Sequence, residues 1–123
     1  MTIIELSADQ ITEIHADIIR DFGGEPGLRD PATLDYVVYQ TNRSRDMYRK
    51  AAVALHGICT GHPFIDGNKR TAFVTADNIL REYHYSISAS NDEVVAFMLD
   101  VASYVHELAS VESWLKKNTE AEN

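Results

Sequence analysis

Within ten consecutive residues, His62-Pro-Phe-Ile-Asp-Gly-Asn-Lys-Arg-Thr71, the chain gathers an imidazole, a carboxylate, a glycine turn, an amide, an ammonium and a guanidinium. A helix is expected to start near Asn68, and the first N–H groups of a helix have no intrahelical acceptor. Gly67 lets the backbone turn sharply just before it and bring those N–H groups close to an anion. Lys69 and Arg70 then stand in a first turn, where the helix dipole disfavours cations. A bound polyphosphate resolves that conflict, because it takes up the N–H groups and both cations together. Arg70 offers a bidentate fork to phosphate oxygens and Lys69 a compact charge. Asp66 is a hard oxygen ligand suited to Mg2+, which binds through one or two carboxylates together with substrate phosphates. His62 supplies an imidazole able to take a proton from a hydroxyl near neutral pH. The set could orient a nucleoside triphosphate against an attacking alcohol, the minimum that phosphoryl transfer requires. Taken singly, each residue has a plainer reading, as a helix-end histidine, an Asp-Gly-Asn turn or a solvated Lys-Arg pair. Their joint occurrence within one short run is what favours chemistry.

The elements expected to position this loop are helical. Ser7 is a candidate N-cap for a helix whose Ile11, Ile14, Ile18 and Ile19 follow helical spacing, with Phe22 continuing the face and Gly23-Gly24 ending it. Gly23 to Asp30 reads as a loop, and Asp30-Pro31 as the N-cap and first position of a second helix carrying Leu34, Val37 and Val38. Ser44 is expected to cap a third, with Ala51, Ala54, Leu55 and Ile58 on one side and Gly61 as a left-handed C-cap. His62 precedes Pro63 and is therefore pushed out of the helical region, just past the helix end. The fourth helix holds Phe73, Ala76, Ile79 and Leu80, and Tyr85 to Ser88 alternates like a short strand. Ser90 and Glu93 form a capping-box pattern before a fifth helix, and a sixth ends in Lys116-Lys117. Asn118 to Asn123 is expected to fray. The expectation is an all-α, compact single-domain bundle of about six helices spanning residues 1–123.

Bulk properties limit the partners. A chain of 123 residues has the size of one domain. Its net charge of −8 argues against general nucleic-acid binding. No apolar run approaches the roughly 20 residues of a membrane span. No secretory signal is visible at Met1-Thr-Ile-Ile, and the lone Cys59 fits a reducing, cytoplasmic setting. Acidic residues crowd both ends of the chain, whereas Arg43, Arg45, Arg49, Lys50, Lys69, Arg70 and Arg81 lie in its middle, near the candidate chemistry.

The run His62 to Thr71 resembles the signature of the Fic/Doc family, His-Pro-Phe-x-(Asp/Glu)-Gly-Asn-(Gly/Lys)-Arg. Gly27-Leu-Arg-Asp-Pro31 resembles that family's earlier Gly-Leu/Met-x-Asp-Pro segment, and Trp114-Leu115 its usual ending. The resemblance implies His62 as the base activating a target hydroxyl and Asp66 as the Mg2+-binding acid. It implies Gly67 and Asn68 in the anion loop and Arg70 on the phosphates. Lys69 stands where AMP-transferring Fic members carry glycine and Doc members carry lysine, which implies a Doc-like toxin presenting the γ-phosphate of ATP. Such a kinase would act on a hydroxyl of a translation factor, elongation factor Tu by resemblance, and be neutralised by a separate antitoxin. Pro63 and Gly67 are nearer the Fic consensus, so protein AMP transfer stays open beside phosphoryl transfer. Fic enzymes often inhibit themselves through a Ser/Thr-x-x-x-Glu-Gly/Asn helix. The sole Glu-Asn pair of this chain, Glu122-Asn123, has Asn118 where Ser or Thr would be required.

Two readings of other classes compete. His56, Cys59 and His62 recur at three-residue steps and could be taken for zinc ligands, but Gly61 and Pro63 displace His62 from the helix and no fourth ligand has suitable spacing. A non-catalytic binding module that keeps the fold is the other, against which the intact set His62, Asp66, Asn68 and Arg70 weighs.

Overall fold

The computed structural model describes residues 5–122, and six helices with one short two-stranded sheet account for most of them. Helix α1 (Ala8–Phe22) starts at Ser7, whose hydroxyl accepts from the Gln10 N–H while the Gln10 side chain accepts from Ser7 N–H. It buries Ile11, His15 and Ile18. Phe22, one turn after Ile18, continues that face beyond the core. It is 62% exposed, because the helix runs past the core before Gly23 ends it. Helix α2 (Pro31–Arg43) is capped by Asp30 as expected, the carboxylate accepting from the Thr33 N–H and hydroxyl, and buries Leu34 and Val37.

Helix α3 (Met47–Gly61) occupies the centre, packed against α2, α4, α5 and α6. Ala51, Ala52, Ala54, Leu55, Ile58 and Cys59 are fully buried along it. Its cap is Asp46, accepting from Arg49 N–H, and not Ser44, whose own N–H bonds the Thr41 carbonyl at the end of α2. An N-cap must reach an N–H two or three residues on, and Ser44 lies too early for a helix beginning at Met47.

Helix α4 (Asn68–Glu82) packs along α3 and leads into β1 (Tyr85–Ile87). Helix α5 (Asn91–Ala102) opens with the expected Ser90–Glu93 capping box. Helix α6 (Leu108–Lys117) ends at the two lysines, and Trp114 on it stacks on Phe97 of α5 at 4.0 Å and 4°. The tail does not fray over residues 119–121. Strand β2 (Thr119–Ala121) pairs antiparallel with β1, Ser86 opposite Glu120. A three-residue strand carries too little pattern to be read alone; its partner gives it structure. Met1 to Ile4 and Asn123 lie outside the described residues. Among the described residues, no helix is long and apolar enough to cross a membrane.

Candidate phosphate-binding site

The signature begins where α3 stops. Gly61 is the last helical residue, and the left-handed position falls one later than expected, on His62 (φ 49°, ψ 57°). Pro63 disfavours the right-handed helical region for the residue before it, so α3 stops at Gly61, and His62 carries the left-handed turn. A non-glycine residue there costs on the order of 1 kcal/mol and persists only where neighbours enforce it. Arg29 does so: its Nε donates to the His62 carbonyl (2.9 Å) and its Nη2 to the Gly61 carbonyl (3.1 Å). The Arg29 and Asp30 N–H groups both donate to the Pro63 carbonyl, at 2.7 and 2.9 Å. Leu28 bridges Phe64, and Ile65 N–H donates to the Gly27 carbonyl (3.1 Å), so the Gly27–Asp30 segment runs as a clamp along the loop.

Phe64 anchors the loop in the core at 1% exposure. Its backbone N–H and carbonyl are both bonded by the Asn68 side chain, through Oδ1 (3.0 Å) and Nδ2 (2.9 Å). Asn68 is itself buried. Its amide therefore holds the loop closed, and what it offers a ligand is its backbone N–H.

Gly67, the N-cap of α4, is left-handed (φ 77°, ψ 16°) and supplies no side-chain cap. The helical ladder starts with Thr71 N–H to the Gly67 carbonyl (3.0 Å), leaving the N–H groups of Asn68, Lys69 and Arg70 ahead of it. Asp66 sits beside this row. Its Oδ1 accepts from Gly67 N–H (2.8 Å) and its Oδ2 from Glu25 N–H (3.1 Å). These two backbone donors, Glu25 first, hold its carboxyl below the usual carboxylate range, helped by the nearby Lys69 charge. An ionised carboxylate beside free helix N–H groups and two cations has the chemistry to suit a Mg2+-nucleotide, and Asp66 could be the protein's ligand to the metal. Gly24 is required for the arrangement: a Cβ there would lie 2.7 Å from Asp66 Oδ2.

A cleft of about 670 Å3 opens over these groups, lined by Asp66, Gly67, Asn68, Lys69 and Arg70 on one side. Its other walls are apolar: Ile18 and Phe22 from α1, Phe73 from α4, and Val94, Val95, Met98 and Leu99 from α5. The Arg70 guanidinium lies 4.2 Å over the Phe22 ring, a cation–π contact that aims it. Five of the six residues singled out in the signature thus meet at one cleft. The sixth, His62, stands at the far end of the loop, exposed, and is not among the cleft lining.

Sequence reasoning missed several contributors. Phe22, the Glu25 N–H and the α5 wall come from segments distant in sequence, and only Gly23-Gly24 hinted that backbone approached something closely there. His15, on the buried stripe of α1, lies against the loop. Of the central basic residues, Lys69 and Arg70 line the site, whereas Arg43 and Arg49 line a separate groove between α2 and α3, and Lys50 is buried with its Nζ on the Thr41 carbonyl (3.2 Å). Cys59 is fully buried with its Sγ 4.0 Å from the Met98 carbonyl oxygen, and burial pushes its thiol up to about 11.

A helical bundle presenting an anion-ready helix start, reached from a histidine at a clamped helix end, defines the class. The Fic/DOC family model matches residues 5–80, and the chain belongs to that family. Among curated relatives, "Protein kinase doc" of Escherichia phage P1 is 29% identical over 82 residues, covering 62% of this chain and 65% of that protein. "Toxin Doc" of Mycolicibacterium smegmatis is 33% identical over 78 residues, 58% of this chain and 60% of its own. A Fido domain-containing protein of Dictyostelium discoideum is 38% identical over 64 residues, 49% of this chain and 45% of its own. The chain thus spans less than two thirds of the length of each of these relatives. Two of the three carry the Doc name, which supports the Doc branch.

Proposed function

We propose that this chain is a Doc-like toxin of a toxin–antitoxin pair, a Mg2+-ATP-dependent kinase that phosphorylates a Ser/Thr hydroxyl of a cytoplasmic translation factor, elongation factor Tu by resemblance. The observation that carries the reading is the start of α4, uncapped by any side chain, with Lys69 and Arg70 in its first turn and the cleft above it. That arrangement suits a polyphosphate and is unfavourable without one. Two relatives named for Doc, one as a kinase and one as a toxin, favour transfer of the γ-phosphoryl group and a separate antitoxin chain.

In this reading the N–H row of Asn68, Lys69 and Arg70 cradles phosphate oxygens, Arg70 adds its fork and Lys69 its point charge. Mg2+ bound through Asp66 would neutralise phosphate charge. The acceptor oxygen attacks the γ-phosphorus, the bond from that phosphorus to the β–γ bridging oxygen breaks, and ADP leaves. The hydroxyl proton passes to the His62 imidazole. Transfer of AMP is the second reading. Left-handed Gly67 favours it, since glycine at this place matches the AMP-transferring consensus. There the hydroxyl attacks the α-phosphorus and pyrophosphate leaves.

The test uses purified chain and a His62→Ala control in bacterial translation extract with ATP labelled at the α- or γ-phosphate. Label entering a protein from the γ-position only, and not with His62→Ala, is the expected result. Label from the α-position replaces the kinase reading with AMP transfer. No transfer from either, with Mg2+ present and antitoxin absent, sinks both and leaves a binding module.

A further inference from the structure

We infer that His15, on α1, is a positioning residue for the phosphate-binding loop, setting the peptide plane between Asp66 and Gly67. The link from that plane to metal binding by Asp66 rests on the proposed function. His15 occupies the buried stripe of α1 between Ile11 and Ile18, at 4% exposure, where an aliphatic residue would pack without desolvating a polar ring. Among the described residues its imidazole makes one hydrogen bond and one aromatic stack, and both fall on the signature loop. The ring stacks face to face on Phe64, centroids 3.9 Å apart and 6° from parallel. Its Nε2 lies 2.8 Å from the Asp66 carbonyl oxygen, which can only accept, so Nε2 carries the proton.

That carbonyl shares a planar trans peptide with the Gly67 N–H, and the two point to opposite sides of it. With the carbonyl turned to His15, the N–H is turned to Asp66 Oδ1, at 2.8 Å. Rotating the plane by half a turn would break both bonds and carry Gly67 out of its left-handed conformation. Glycine populates either conformation readily, so Gly67 does not itself oppose the flip. What opposes it is the His15 bond to the carbonyl; the ring also lies close to Gly67, where a built Cβ would find His15 atoms at 3.7 Å, just beyond Ile19 Cδ1 at 3.3 Å. Helix α1 thus grips Asp66 twice, at the carbonyl through His15 and at the carboxylate through the Glu25 N–H just beyond the helix.

Two substitutions separate the donor from the ring. His15→Phe keeps a stacking face without an N–H, and His15→Gln keeps an N–H of similar reach without the ring. In the metal-free protein the readout is the Gly67 amide resonance. With ligand it is the affinity for Mn2+-ATP, followed by Mn2+ electron paramagnetic resonance. Removing such an outer contact is expected to weaken metal-nucleotide binding by about 10- to 100-fold and to move or split the Gly67 resonance. His15→Gln is expected to bring both back towards wild type. His15→Phe with wild-type resonance and affinity would overturn the inference, reducing His15 to packing. If His15→Phe fails to fold, His15→Asn replaces it, an amide too short to reach, compared with His15→Gln. If the wild type itself binds no Mn2+-ATP, the proposed function falls, and the Gly67 resonance alone decides the role of His15.

Discussion

Asn68 turns inward, where both ends of its amide bond the backbone of Phe64, while Arg70 two residues on turns outward over the Phe22 ring. The division predicts opposite phenotypes within one signature. Asn68→Ala strands the N–H and carbonyl of a residue that is 1% exposed, and each lost partner costs about 1–3 kcal/mol. Urea denaturation is expected to show a loss of about 2–6 kcal/mol. Arg70→Ala forfeits one exposed cation–π contact, about 0.5–1 kcal/mol, yet should abolish ATP-dependent transfer. A stable, inactive Asn68→Ala or an unstable Arg70→Ala would reverse the assignments. Asp66 adds a pH signature. Its pKa is depressed below 3.8 in the folded chain by the Glu25 and Gly67 N–H groups. The stabilisation is therefore fully present above pH 3.8 and is lost as pH falls through the lower folded value. Asp66→Asn, with one oxygen for two N–H donors, should be less stable than wild type at neutral pH. The gap in melting temperature should close in strongly acidic buffer, and a gap that widened towards low pH would contradict hydrogen bonding as the cause of the shift.

Helix α3 carries the signature on its end, so its seating against α2 places His62. The seating depends on two glycines a turn apart. A Cβ at Gly57 would lie 2.8 Å from Val37 Cγ2, and one at Gly61 2.7 Å from Thr33 Cγ2. Gly57→Ala should gain about 1 kcal/mol in helix propensity. Overpacking a filled contact costs about 1–3 kcal/mol, so the net change is a destabilisation. Adding Val37→Ala should relieve the clash, giving a coupling of at least about 0.5 kcal/mol in a double-mutant cycle by chemical denaturation. Additive effects would mean that α2 and α3 do not meet there. At this scale the sequence was readable wherever a cap acts over three residues, as at Ser7, Asp30 and Ser90. It misled where two candidates competed. Asp46 outranked Ser44 because the helix began later, and His62 took the left-handed turn expected at Gly61 because α3 keeps Gly61 as its last helical residue. Strand β2 was hidden because its order comes from pairing with β1, more than thirty residues earlier.

Across the whole molecule, the readable part of the candidate site is the part contiguous in sequence. Asp66 to Arg70 line the cleft as a local pattern predicts, whereas the Phe22 platform, the Glu25 N–H and the apolar wall of α5 depend on how helices cross, which spacing along one strand of sequence does not encode. The same packing joins the site to the core through α3, where Cys59 is fully buried and its thiol pushed up to about 11, mainly by burial and against the opposing pull of Lys69. At pH 8 that thiol is protonated and shielded, so alkylation by iodoacetamide must wait for the core to open. Small domains open largely as one unit, and a ligand that binds only the folded form lowers the open population by the factor 1 + [L]/Kd. Mg2+-ATP at about 100 times its Kd should therefore slow Cys59 alkylation by roughly 100-fold, where reclosing outpaces labelling. Arg70→Ala should lose that protection while raising the ligand-free rate only about 2- to 5-fold, the factor its lost cation–π contact implies. Protection absent in a wild type that binds nucleotide would mean that α3 exposes Cys59 by a local opening which leaves the cleft intact, and cleft and core would then open independently.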